Sequence, residues 1–241
     1  MRKEKSNICM EAAVNLRVDG KHMVTFMCTP MDLDILSLGY LASKGLIKDI
    51  SEVKRIKHSP LLGVDVFLNK DLQLEDGFIP KLILSGCGTG MGFDLELIKK
   101  SALNFRGEIS LEKLKKNFIL MLEKALMYKT MGGMHCAGLY LENGEEIITK
   151  EDIGRHNAVD KVIGEGLKKG WDLSRSVLMV TGRISSDMVF KSAGNRVPVI
   201  ASRSITSDLA LSLGEELGLT IIGRATYEEP IIYSGIEKIK K

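Results

Sequence analysis

Two apolar-rich runs near the start of the chain, AAVNLRV and HMVTFMC, are joined across Asp19-Gly20. That dipeptide accepts the positive φ of a tight turn, so residues 12–28 are predicted to form a β-hairpin. Leu33, Leu36, Tyr40 and Leu41 then recur at helical spacing until Gly45, with Thr29 the expected cap and Pro30 at the first helical position. Two further strands, near 50–57 and 63–68, alternate apolar and polar side chains as half-exposed strands do. The stretch NKDLQLEDGFIP is polar, turn-rich and ends in proline. It divides the chain into a small α+β domain, 1–78, and a larger domain, 79–241.

Beyond Lys81 short apolar runs alternate with longer segments of helical period, the signature of an α/β layer structure. Strands are predicted at 82–84, 137–141, 177–180, 197–200 and 219–222. Several lack alternation, as strands covered on both faces do. A helix capped by Ser110 runs to about Tyr128; another over 156–168 carries Val159, Val162, Ile163 and Leu167 on one face; a third spans 207–217. No repeat of fixed period interrupts this plan.

Composition narrows the class of protein. With 44% hydrophobic and 27% charged residues over 241 positions, the chain is neither disordered nor fibrous. It carries 34 basic and 31 acidic residues, a net +3, and since 11 of each precede Pro80 the whole excess lies in the larger domain. That is too little for a duplex DNA binder but suits a small anionic ligand. No apolar run approaches the ~18 residues that cross a bilayer, and no signal peptide is recognisable at the N-terminus. The expectation is a cytoplasmic protein with free thiols and neither nucleic acid nor membrane as partner. Cys9, Cys28, Cys87 and Cys136 are too scattered for a zinc knuckle or a local redox pair.

Four segments could carry chemistry. The first, SGCGTGMG at 85–92, follows an apolar strand and precedes an expected helix near Phe93, with glycines 86, 88, 90 and 92 around Cys87. Near a helix N-terminus Cys87 would favour its thiolate and act as a nucleophile; otherwise it is a small buried cysteine in a turn. The glycine spacing fits neither a dinucleotide-binding fingerprint nor a P-loop. The second, TMGGMHCAG at 130–138, holds His135 before a strand, as a ligand-binding or proton-handling group or as a structural histidine. A zinc deaminase needs glutamate two residues after the histidine and a paired cysteine; here Ala137 and Gly90 stand in those places. The third, EDIGRHNAVDKVIG at 151–164, crowds Asp152, Arg155, His156, Asn157 and Asp160 at a helix entrance. It is a setting for phosphate or a nucleobase edge, or else an ordinary solvated helix start.

The fourth, TGRISSDMVFKSA at 181–193, places Arg183, Ser185, Ser186 and Asp187 at the carboxyl end of a strand, where α/β sheets bind ligands. ASRSITSDLA repeats the arrangement with Arg203, Ser204 and Thr206. Helix capping and surface ion pairs are the plainer alternatives for these groups.

The runs GMHCAG, EDIGRHNAVDKVIG, TGRISSDMVFKSA, PVIASRSITSDLAL and GLTIIGRATYEEPIIYS, with the early TPMDLDILSLGYLASKGLI, resemble in order the formate dehydrogenase accessory sulfurtransferase family, FdhD. The resemblance implies a cytidine deaminase-like, three-layer larger domain without the metal chemistry of deaminases. It implies a sulfurtransferase taking persulfide sulfur from a cysteine desulfurase to the molybdenum (or tungsten) bis(molybdopterin guanine dinucleotide) cofactor before insertion into formate dehydrogenase, and a homodimer. Cys87 aligns with the persulfide-carrying cysteine. Many members have C-x-x-C there, and Gly90 leaves a single working thiol. The resemblance adds Arg224, Ala225, Thr226, Tyr227, Glu228 and Glu229 to a cofactor-binding set of His135, Arg155, His156, Asn157, Asp160, Arg183, Ser185, Ser186, Arg203 and Ser204. The RATYEE sequence is less basic and less glycine-rich than is common in the family. Two other functions are compatible with the residues: a cofactor-binding chaperone that transfers no sulfur, and a zinc nucleoside deaminase.

Overall fold

The computed structural model describes residues 8–59, 63–70, 103, 105 and 107–240, with the backbone of 81–83. The 85–92 loop with Cys87, the helix expected near Phe93 and the domain boundary at 78/79 lie outside the described residues.

The predicted hairpin forms from β1 (Ala12–Val18) and β2 (Lys21–Cys28), turning on Asp19 and Gly20 at φ 48° and 80°. Strands β3 (Val53–Ser59) and β4 (Gly63–Leu68) pair antiparallel, β4 lies parallel to β1, and β5 (Lys81–Ile83) lies parallel to β2. The order is β3-β4-β1-β2-β5. The run read as the opening strand of the larger α/β layer thus completes the first sheet instead. Helix α1 (Leu33–Ser43) begins later than expected, with Asp32 rather than Thr29 at its N-cap. Thr29 is fully buried, its backbone N–H donating to Asp152 and its carbonyl accepting from Lys161.

A short parallel pair, β6 (Ile109–Ser110) with β13 (Ile239–Lys240), precedes α2 (Leu111–Lys124). Ser110 caps α2 through Lys113 N–H at 3.2 Å, as predicted. The expected single helix breaks at Ala125, and α3 (Leu126–Met131) follows. The second sheet contains β7 (His135–Leu141), β8 (Ile147–Asp152), β9 (Ser176–Val180), β10 (Val199–Ser202), β11 (Thr220–Gly223) and β12 (Ile231–Ser234), in the order β12-β11-β10-β9-β7-β8. β9, β10 and β11 run parallel, joined through α5 (Ser186–Gly194) and α6 (Asp208–Glu216). Helix α4 (Arg155–Lys168) connects β8 to β9.

Successive residues of these strands serve two cores, as the two-residue period of a strand requires. Leu139, Leu178, Val180, Ile200 and Ile221 join α1, α4, α5 and the first sheet in one cluster. Tyr140, Val177, Met179, Val199 and Ile222 pack with Leu114, Phe118 and Met121 of α2 in the other. Helices therefore cover both faces of the second sheet.

Helix α1 is buried along almost its whole length and packs most extensively on α4. A Cβ built on Gly39 would lie 1.8 Å from the Asp160 carbonyl oxygen, and one on Gly164 would lie 2.0 Å from that of Ile35. Rising numbers on one helix meet falling numbers on the other, so the two cross antiparallel with backbones nearly touching. Two buried ion pairs flank the crossing. Lys161 Nζ lies 2.7 Å from Asp152, with both side chains at zero exposure. Lys191 Nζ donates to both Asp160 oxygens, at 2.5 and 2.7 Å, and Ser43 Oγ adds a third donor at 2.9 Å. Buried charges held this way need such extra hydrogen bonds to offset desolvation.

Alanine is normally better than glycine in a helix interior by about 1 kcal/mol. At these two positions the contact reverses the sign: Gly39→Ala or Gly164→Ala is expected to cost about 2–3 kcal/mol, because the obstructing atom is backbone and cannot rotate away. Urea unfolding measures it, and an unchanged midpoint would contradict so close a crossing.

Candidate functional site

The carboxyl ends of β9, β10 and β11 form one edge, and hydrogen bonds hold the loops leaving them side by side. Thr181 Oγ1 accepts from Cys136 N–H at 3.1 Å while Thr181 N–H donates to the Cys136 carbonyl at 3.1 Å, fastening the loop after β9 to the start of β7. Ser202 Oγ donates to the Gly182 carbonyl at 2.6 Å and accepts from Ser204 N–H at 2.9 Å. Arg203 N–H reaches the Val180 carbonyl, and Arg224 N–H and Ala225 N–H reach the carbonyls of Ser204 and Ser202. Segments 181–185, 203–207 and 224–227 thus lie side by side, the first two at the strand ends where the sequence placed them.

Helix α4 brings its first turn to the same edge. Its N-cap is Gly154, with no side-chain cap, and the Gly154 N–H donates to Asp152 Oδ1 at 2.8 Å. Gly182 leaves just enough room for its neighbours: a Cβ there would lie 3.4 Å from both the Arg155 Cδ and the His135 ring. Arg155, Gly182 and His135 therefore converge. Ser185 holds the N-cap position of α5, yet its hydroxyl makes no capping bond, which removes the plain capping explanation for it.

Among the described residues eight buried side-chain polar atoms have no hydrogen-bond partner, and five belong to four residues of this edge: Arg155 Nε, both ring nitrogens of His156, Ser185 Oγ and Arg203 Nε. A buried polar group without a partner costs free energy. Clustering of such groups at a strand-end edge, beside the N-termini of two helices, is the pattern of a site that receives a polar ligand. Each of the four residues can donate a hydrogen bond and two of them are cationic, so the ligand they suit is an anion.

Other expected residues sit elsewhere or are already engaged. Asp160 is not at the entrance: it is buried against Lys191 and Ser43. Asn157 is buried too, its amide donating to the Met27 carbonyl and Asp152 Oδ1. Arg183 is exposed, and Ser186 and Ser204 are half-buried. Of the Arg224–Glu229 segment, Ala225 is buried in the second core, Thr226 is half-buried, and Arg224, Tyr227, Glu228 and Glu229 are exposed. The Glu228 carbonyl accepts from Lys115 at 2.6 Å. Sequence reasoning passed over the two loop clamps, Thr181 and Ser202, although both lie inside motifs that it singled out. It also passed over Tyr128, which accepts a hydrogen bond from Arg203 Nη1 at 2.7 Å.

Burial and the neighbouring Lys191, Arg155 and His135 hold the His156 ring neutral, with its pKa lowered to about 3. Burial and Arg155 also lower His135, against the pull of Asp152. Burial pushes the thiol of Cys28 up to about 12, and that of Cys136 up as well. Cys9 is half-buried. Among the described residues no group of three or more His, Cys, Asp or Glu side chains could hold a metal, and no helix is long and apolar enough to cross a membrane.

The histidine shift has a definite sign. Below the ordinary histidine pKa of about 6.5 the unfolded chain binds a proton that folded His156 refuses. Its contribution to stability is complete above that pH and is lost as pH falls toward the folded value. Between pH 7 and 5 this single group is expected to remove about 2 kcal/mol, at up to ~1.4 kcal/mol per pH unit. Denaturant unfolding of the wild type and His156→Gln at both pH values isolates it: the variant should lose less, and parallel losses would contradict a neutral buried ring.

A family model for the FdhD/NarQ family matches residues 9–240. The chain is 32% identical over 235 residues to the sulfur carrier protein FdhD of Wolinella succinogenes, covering 96% of this chain and 82% of that protein. It is 34% identical to the Bacillus pumilus sulfur carrier protein FdhD, with 95% and 88% covered. To that of Bacillus subtilis it is 30% identical, with 99% and 92% covered. A crystal structure described as a formate dehydrogenase accessory protein from Desulfotalea psychrophila superposes with a TM-score of 0.76 at 24% identity, covering 96% of this chain and 89% of that one. That likeness shows the same mixed α/β fold, while the family-model match over residues 9–240 and the relatives at 30% identity or more show that the chain belongs to the FdhD/NarQ family.

Proposed function

We propose that this protein is a sulfur carrier and sulfurtransferase serving formate dehydrogenase. Cys87 carries a persulfide that it passes to the molybdenum or tungsten bis(molybdopterin guanine dinucleotide) cofactor, which is the bound substrate. The curated relatives are named sulfur carrier proteins, which favours this reading over a sulfur-free chaperone or a nucleoside deaminase. The observation that carries the binding half is the cluster of unpartnered polar atoms on Arg155, His156, Ser185 and Arg203. Such groups fit the diphosphate of a guanine nucleotide: two guanidinium groups for charge, a hydroxyl and a neutral imidazole for directed hydrogen bonds. His135, Arg183, Ser186, Ser204 and the exposed part of the 224–229 segment border the same edge and extend it.

The donor, a cysteine desulfurase, presents an outer sulfur to the Cys87 thiolate, which forms a new S–S bond while the donor's thiolate leaves, with no net oxidation. Buried Cys28 and Cys136 are held as thiols, which favours Cys87 as the working nucleophile. On the same footing we read 79–241, apart from β5 in the first sheet, as the cofactor-binding domain with deaminase-like layering and 1–78 as a small α+β domain, in a cytoplasmic homodimer. The helices on both faces of the second sheet support that layering.

Two variants separate the steps. After incubation with a cysteine desulfurase and cysteine, intact mass spectrometry is expected to show one added sulfur, removable by reductant and absent from Cys87→Ala. Arg155→Ala should still load sulfur but fail to support formate dehydrogenase activity in a host lacking its own accessory protein. Full activity with Cys87→Ala would overturn sulfur transfer and leave the chaperone reading. Full activity with Arg155→Ala would remove Arg155 from the cofactor site.

A further inference from the structure

Arg203 is the most elaborately supported cation of the site edge, and its support comes from a residue outside every expected motif. We propose that Tyr128 is a positioning residue of the anion site: its phenol holds the Arg203 guanidinium in place without cancelling its charge. This inference rests on the anion-binding reading proposed above.

The Tyr128 hydroxyl accepts from Arg203 Nη1 at 2.7 Å, with the guanidinium carbon 6.0 Å from the centre of the tyrosine ring. The ring packs against the second core cluster, so it offers a fixed partner. The backbone fixes it further: Tyr128 N–H donates to Glu151 Oε1 at 2.5 Å and Met127 N–H to Glu151 Oε2 at 3.3 Å. Glu151 precedes Asp152, whose carboxylate accepts from Gly154 N–H at the start of α4. The end of β8 thus sets both arginines, Arg155 through Asp152 and Arg203 through Glu151 and Tyr128.

The choice of partner decides the chemistry. A carboxylate beside Arg203 would orient it equally well, but would neutralise it and compete with an anionic ligand. A neutral phenol uses one of the five guanidinium N–H donors and leaves the positive charge and the rest available. Arg203 Nε is buried and has no partner among the described residues, as a donor held ready for a ligand would be.

Titration calorimetry of the full chain with GDP and with guanosine, which lacks the phosphates, tests the proposal. Tyr128→Phe keeps the ring and removes the acceptor. It is expected to weaken GDP binding about fivefold, the loss of one orienting hydrogen bond, with guanosine affinity and thermal unfolding unchanged. In an Arg203→Ala background the same change should cost nothing more, because Tyr128 acts only through Arg203. Unchanged GDP affinity in Tyr128→Phe, an equal loss for guanosine, or a further loss in the Arg203→Ala background would each overturn the positioning role. If wild type fails to bind GDP, the anion-site reading falls and this inference with it. The two failures differ in whether wild type binds.

Discussion

The contact between α1 and α4 governs where everything else can sit. Two helices whose backbones meet at Gly39 and Gly164 cannot slide or rotate without collision, so α4 has one position relative to the first sheet. The ion pairs at consecutive positions of α4 secure it in two directions. Asp160 ties it to Lys191 of α5, and Lys161 ties it to Asp152 at the end of β8. Removing one member of such a pair would leave an uncompensated buried charge, at a cost of about 3–5 kcal/mol, so any arrangement that parts the two is penalised.

That lock has a functional consequence one turn away. With 160 and 161 immobilised, the first turn of α4 is delivered to the carboxyl end of the parallel strands, and Arg155 and His156 arrive beside Gly182 and His135. The strand-end loops are rigid in turn, because Thr181 and Ser202 stitch them together. The site therefore combines fixed donors, a positive field and shielding from water. Each would strengthen the binding of an anion. Donors fixed in this way are preorganised, their ordering cost met during folding.

Much of this plan was legible in the sequence, and the exceptions have physical reasons. The Asp19-Gly20 hairpin, the apolar stripe of α4 and the Ser110 cap are local patterns, and each formed as read. The rule that ligands meet α/β sheets at strand ends singled out Arg183, Ser185 and Arg203, which do follow the carboxyl ends of β9 and β10. Asp160, expected among the cofactor-binding residues, is instead committed to Lys191, 31 residues away, a pairing that no local pattern encodes. Thr29 had the sequence of a cap, but its backbone was claimed by Asp152 and Lys161, pairings that no local pattern encodes. Parallel pairing of β1 with β4 and of β2 with β5 likewise depends on the whole sheet. Tyr128 carries no local signal, since its role arises from contact with a residue 75 positions later.

The central claim is that buried donors at the strand-end edge, without a partner among the described residues, are completed by the anionic part of a guanine nucleotide. A crystal structure of the protein grown with GDP tests it most directly. The account predicts diphosphate oxygens within roughly 3.2 Å of at least two of Arg155, His156, Ser185 and Arg203. Nucleotide bound away from that edge, with Arg155 Nε, the His156 ring, Ser185 Oγ and Arg203 Nε left without contact to it, would contradict it.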